Sequence, residues 1–276
     1  MLYLILAMVS SMLVSLVMRL SEGRCRNDMT KLAVNYVMCA GLSLLFSGTP
    51  QLFPAVEGLP LTLLLGSVTG VLYLAGFVLL QWNISRNGVV LSSTFMKLGV
   101  IVPTVVAIVA FGESPRAAQI AGIALALTAI ILIQGKGGST GSLAGLITLL
   151  LSGGTADAMS KVFEEACPSA LKDQYLLYTF GTALLLCVVL CVVKKQRFTW
   201  QDMLWGLALG IPNYFSARFL LLALGSVPAM VVYPSFSVGT IVLVTLVGVS
   251  CFGERLSRRK WIALGVILAA LVLLNI

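Results

Sequence analysis

Four ionisable side chains fall inside long apolar runs: Lys97, Asp157, Lys161 and Arg218. A charge held at hydrocarbon depth is costly, so such residues face a water-filled cavity or a partner and mark substrate or ion pathways. Asp157 and Lys161 stand at i and i+4, on one helical face, where they can neutralise each other. Arg218, at comparable depth in its own run, is the competing partner for Asp157. Lys97 lies about eight residues, roughly 12 Å, into its run, and no acidic residue of a span is expected at a similar depth. Three roles are open to it: snorkelling toward the interface, a buried ion pair, or a cationic anchor for a substrate carboxylate or phosphate.

The composition says what surrounds these charges. Of the 276 residues 59% are hydrophobic and 10% charged, with a mean hydropathy of +1.04, whereas a soluble domain carries roughly a quarter of its residues charged. The solvent of this chain is lipid. The sequence has no histidine, which excludes imidazole metal sites, histidine general bases and histidine proton relays. Cys25, Cys39, Cys167, Cys187, Cys191 and Cys251 show no metal-site spacing. The strongest acidic cluster, Glu164-Glu165, sits in a loop beside Lys161 and Lys172. A membrane enzyme would need acid/base or metal-binding residues gathered near an interface, so none is expected, nor any cofactor or nucleic-acid partner. The net charge of +8 is read as membrane topology. The first apolar run, Met1 to Met18, has neither a basic leader nor a small-residue cleavage site and is expected to stay as a helix.

A span needs about 20 apolar residues. Polar and Gly/Pro punctuation predicts ten of them, over 1–20, 31–47, 59–82, 89–111, 116–134, 142–163, 174–193, 202–224, 228–252 and 257–275. The connections are short, leaving all chemistry within or between helices.

The two halves resemble each other. Phe111-Gly112-Glu113 falls on Phe252-Gly253-Glu254 at an offset of 141 residues, and Gly122 meets Gly265 after a two-residue insertion. Gly66-x-x-x-Gly70 falls on Gly206-x-x-x-Gly210, while Ser10 and Arg19 fall on Ser152 and Lys161. With five spans per half the second half must enter the bilayer from the opposite side, which gives an inverted repeat over 1–138 and 139–276. That plan suits a carrier whose site lies at the repeat interface. Glu113 and Glu254 each open a helix, where a carboxylate stabilises the free N–H groups. The paired glycines permit close helix approach.

The Gly-Glu turn followed by a glycine-bearing helix, the cations ending the first and sixth spans (Arg19, Lys161) and the duplication resemble the EamA-type members of the drug/metabolite transporter superfamily. The resemblance covers essentially the whole chain. It implies a basket of helices around a central cavity lined by the first, third, fourth, sixth, eighth and ninth spans, and relatives that export amino acids or other metabolites. Two departures concern the substrate: Val9-Ser10-Ser11-Met12 stands where many relatives have Trp-Gly, and Pro103 has Val244 as its counterpart. Polar and aromatic residues of the implied cavity helices, Tyr73, Ser92, Thr94, Asn213, Tyr214 and Tyr233, join Lys97, Asp157 and Arg218 as the expected substrate-binding set. Asn213 and Tyr233 each adjoin a proline inside a span, Pro212 and Pro234. The expected substrate is a small zwitterion or organic anion.

Thirteen cations fall in the loops after the odd spans: Arg19, Arg24, Arg26, Lys31, Arg86, Lys136, Lys194, Lys195, Arg197, Arg255, Arg258, Arg259 and Lys260. Three, Arg116, Lys161 and Lys172, fall in the others. The positive-inside rule then puts both termini outside the cell membrane. A monomer or a homodimer is expected.

Overall fold

The computed structural model describes residues 2–46, 52–99, 101–102, 117–118, 120–122, 124–125, 128, 142–224, 229–253 and 256–273. Every regular element among them is helical. In chain order they are α1 (Leu2–Ser21), α2 (Asp28–Phe46), α3 (Leu59–Asn87), α4 (Val89–Leu98), α5 (Leu143–Ala166), α6 (Lys172–Val193), α7 (Trp200–Leu224), α8 (Ala229–Phe252) and α9 (Arg258–Leu273), with a 3-10 turn at Ser169–Leu171. Among the described residues, 7 helices are long and apolar enough to cross a membrane, and α4 and Trp261–Leu273 are shorter apolar helices. Helices satisfy their own backbone groups, which lipid cannot do. The chain is a multi-pass helical membrane protein.

These helices match the first to fourth and sixth to tenth expected spans. Residues 103–111 of the fourth span, most of the fifth (116–134), the Phe111-Gly112-Glu113 turn and Glu254 lie outside the described residues. The fourth expected span, 89–111, is helical over Val89–Leu98 and is capped at Gly99, while α3, expected to stop at 82, runs on to Asn87. Its polar end reads as loop because its amides have no visible partner in sequence. In the fold Asn83 donates to the carbonyls of Leu79 (2.8 Å) and Gly145 (3.0 Å), and Asn87 donates to the Asn83 side-chain oxygen (2.9 Å). Gly88, at φ 84, ends the helix, and α4 starts at once.

Packing is organised by a few close crossings. α1 lies against α7 and α8, α2 against α6 and α7, α3 against α5 and α6, and α4 against α5 and α8. The glycine pairs sit in these seams. A Cβ on Gly66 would come 2.8 Å from Tyr178 Cβ of α6, and one on Gly70 would come 2.8 Å from Thr182 Cβ. On α7, a Cβ at Gly206 would stand 2.6 Å from the Lys31 carbonyl oxygen of α2, and one at Gly210 2.8 Å from that of Asn35. A further close crossing, not picked out from sequence, brings a Cβ position on Gly99, just after α4, to 2.7 Å from the Gly154 nitrogen of α5. Small residues let helices approach until dispersion and backbone contacts hold them in lipid, where no hydrophobic drive does so.

One end of the bundle is tied by buried polar groups. Lys31, counted above among loop cations, is fully buried. It donates to Ser21 Oγ, Asp28 Oδ1 and Gln81 Oε1, each at 2.9 Å, joining α1, α2 and α3. Asp202, also fully buried, accepts from the Arg26 and Asn27 backbone amides (2.9 and 3.3 Å) and from Thr30 Oγ1 (3.0 Å). A carboxylate of α7 thereby satisfies N–H groups at the entry to α2 that have no partner in their own helix.

Gly70→Val and Gly206→Val should each destabilise the protein by about 1–3 kcal/mol through overpacking. Gly181→Val, whose Cβ position has nothing within 4 Å, should leave the melting temperature in detergent unchanged. Asp202→Ala should cost about 1–3 kcal/mol, the penalty for stranding buried donors, read in the same melting assay.

Candidate functional site

α1, α3, α4, α5, α7 and α8 line a cavity of about 120 Å³. They are the first, third, fourth, sixth, eighth and ninth of the expected spans. The Gly99–Gly154 crossing seats α4 directly on α5, and each helix carries one charge beside that contact. Lys97 precedes Gly99 by two residues and Asp157 follows Gly154 by three. Both side chains line the cavity and both are partly open to it.

Their charges act on one another, but they form no ion pair. Among the described residues the pairs within 4.0 Å are Arg19–Glu22, Lys31–Asp28 and Arg218–Asp173. The Lys97 Nζ stands instead 3.9 Å from the ring centroid of Phe236 on α8, a cation–π contact. The cavity therefore presents an ammonium and a carboxylate that are near each other and not closed on each other.

This corrects two expectations. Lys97 has an acidic neighbour after all, because depth counted along each run ignores how α4 and α5 are set against each other at their glycines. Arg218 is not the partner of Asp157. It donates to Asp173 Oδ1 at 2.9 Å, to the Tyr214 hydroxyl at 2.8 Å and to the Phe46 carbonyl at 3.2 Å, tying α7 to the start of α6 and the end of α2. The side chain of Lys161 lies outside the described residues.

The other expected residues divide. Tyr73 and Asn213 line the cavity. Asn213 follows Pro212, through which α7 continues as a helix, and its amide donates to Asn35 Oδ1 at 3.2 Å. Tyr214 is fully buried, stacked on Phe46 with ring centroids 6.0 Å apart, and is not among the lining residues. Ser92 and Thr94 also miss the cavity. Their hydroxyls donate to the carbonyls of Gly88 (2.8 Å) and Val90 (2.7 Å), one turn back along their own helix. The Tyr233 side chain lies outside the described residues.

Other residues complete the lining. Ser93, a polar residue of the same expected span as Ser92 and Thr94, stands four residues before Lys97 and shares its face. It donates to Ser15 Oγ of α1 at 2.9 Å, and both serines line the cavity. Phe236 carried no such signal, because its role depends on where α8 lies against α4. Val14, Leu72, Phe77, Leu80 and Leu220 supply apolar walls. Among the described residues no group of three or more His, Cys, Asp or Glu could hold a metal ion. The arrangement can hold opposite charges at two neighbouring points, with apolar walls around them.

The family described as Small Multidrug Resistance protein matches residues 175–267, a stretch that runs over α6, α7, α8 and part of α9. That family belongs to the drug/metabolite transporter superfamily. An uncharacterized protein of Haemophilus influenzae (strain ATCC 51907 / DSM 11121 / KW20 / Rd) is 23% identical over 277 residues, covering 95% of this chain and 93% of its own. A protein crystal structure 15% identical superposes with a TM-score of 0.63, covering 98% of this chain and 96% of that one. It shares the fold. The helical membrane architecture and the family match point to a transporter rather than an enzyme.

Because Arg218 is engaged away from the cavity, Arg218→Ala should lower the melting temperature. Asp173→Asn added to it should cost little more, and a double-mutant cycle should return a coupling of about 0.2–1 kcal/mol for this partly exposed pair.

Proposed function

We propose that the chain is a secondary transporter, an exporter of a small zwitterionic metabolite such as an amino acid or of a related organic anion, working by alternating access at the central cavity. The observation that carries this reading is the open pair of Lys97 and Asp157. Two charges kept in a bundle interior at several kcal/mol of desolvation each, without an ion-pair contact among the described residues that would offset it, are explained by a ligand that completes them. The carboxylate of a zwitterion would meet Lys97 and its ammonium Asp157. The walls of Phe77, Leu80 and Leu220 suit an apolar side chain.

Alternating access follows from an inverted repeat of EamA type, with halves 1–138 and 139–276. The packing supports it. Exchanging each helix for its counterpart five spans along turns the α1–α7 seam into α5–α3, α2–α7 into α6–α3 and α1–α8 into α5–α4, while α2–α6 and α4–α8 map onto themselves. Each of these pairs is in contact. Gly66 and Gly70 against α6, and Gly206 and Gly210 against α2, are one such related set.

On this reading the protein sits in the cell membrane with both termini outside, as a monomer or homodimer. Removing the buried Lys31 from the loop tally changes thirteen against three to twelve against three, and the bias stands.

Purified protein in proteoliposomes preloaded with unlabelled L-leucine should concentrate labelled L-leucine transiently by counterflow, which a channel cannot do. Lys97→Ala should abolish counterflow at an unchanged melting temperature. Transport at full rate by that variant would remove the anchor role.

A further inference from the structure

Among the described residues Lys97 is held by a ring and not by a carboxylate, although a carboxylate is at hand. An ammonium in a low-dielectric interior draws strongly on any anion near it, and a direct contact with Asp157 would use up the charges of both. A ring face attracts the cation through its quadrupole without accepting a proton or supplying a counter-charge. The three N–H donors of a lysine then stay available to a ligand on the cavity side. Phe236 is 7% exposed and packs with Leu4, Ala7, Ala223 and Val232, so its ring is fixed by neighbours on other helices before Lys97 meets it.

The offset of 141 residues that sets Lys97 on Val238 also sets Phe95 on Phe236. Phe95 is fully buried in a separate apolar cluster with Leu146 and Ile267. Of two phenylalanines at equivalent places, one fills core and the other faces the cavity cation. The departure from equivalence falls where Lys97 itself has no equivalent.

We propose that the Phe236 ring holds the Lys97 ammonium off Asp157, so that both charges stay open to substrate. Phe236 is thus a positioning residue for the site described above, and the proposal rests on that site being where substrate binds. Without the ring, Lys97 turns to Asp157 and the two close on each other.

Titration calorimetry on the full chain in detergent tests this with L-leucine and its des-amino analogue 4-methylpentanoate as probes, and L-valine, L-methionine and L-phenylalanine beside them. Phe236→Leu should weaken L-leucine binding about tenfold, in keeping with a desolvated cation–π contact. Phe236→Trp, which keeps a ring face, should bind within a factor of about two of wild type. Adding Asp157→Asn to Phe236→Leu frees Lys97 and should strengthen 4-methylpentanoate binding relative to Phe236→Leu alone; a role in packing would give no such recovery. Equal affinity in Phe236→Leu and wild type, equal loss in the Leu and Trp variants, or no recovery in the double variant overturns the proposal. So does absence of binding by every probe. If Lys97→Ala weakens binding while Phe236→Leu does not, the ring has no part and the substrate site stands. If Lys97→Ala binds L-leucine as wild type does, the substrate site itself is wrong.

Discussion

An ammonium and a carboxylate share the middle of this helix bundle without closing on each other. In water that would be unremarkable, since each charge is worth little to the other there. Inside a membrane protein the balance changes, because each ion loses hydration worth several kcal/mol and recovers it through close contact and hydrogen bonds. Lys97 and Asp157 both line the cavity, with a ring against the lysine and, among the described residues, no contact ion pair. The rest of the structure can be read as what keeps them in that condition.

Two kinds of restraint do this. The first is the close seating of helices at glycine. Gly99 against Gly154 sets α4 on α5 and fixes the two charges on neighbouring walls, while Gly70 and Gly206 set the α3–α6 and α7–α2 seams. The second is the removal of competing ions. Arg218 is bound by Asp173, and Lys31 by Asp28, Ser21 and Gln81. Neither reaches the cavity. On the proposed reading, rigid seams of this sort let two halves rock as bodies while the charged site between them stays intact.

Much of this could be read before the fold was known. Hydropathy alone separates α1 to α3 and α5 to α8, because a membrane span must be long and apolar. The cavity residues Lys97, Asp157, Tyr73 and Asn213 were visible as polar groups where lipid should forbid them. What failed was pairing. Asp157 was offered Lys161 on its own face and Arg218 by depth along each run; the Arg218 pairing fails because contact is set by lateral packing, which a linear count does not hold, and the Lys161 side chain lies outside the described residues. Ser92 and Thr94 were taken as polar groups of an implied cavity helix, when helical rotation puts Ser93 on the Lys97 face and turns the other two back on their own backbone. Phe236 looks like any core phenylalanine until α8 is laid beside α4. The polar end of α3 reads as loop because its partner carbonyl belongs to Gly145, far along the chain.

The openness of the charge pair can be measured without knowing the ligand. Nitrogen–carbon dipolar recoupling between Lys97 Nζ and Asp157 Cγ, in solid-state magnetic resonance of the selectively labelled protein in bilayers, reports their separation in the empty state. The account predicts a coupling too weak for a contact ion pair, since the nitrogen and carboxylate oxygens lie beyond 4.0 Å. A strong coupling, that of an ammonium seated on the carboxylate, would contradict it.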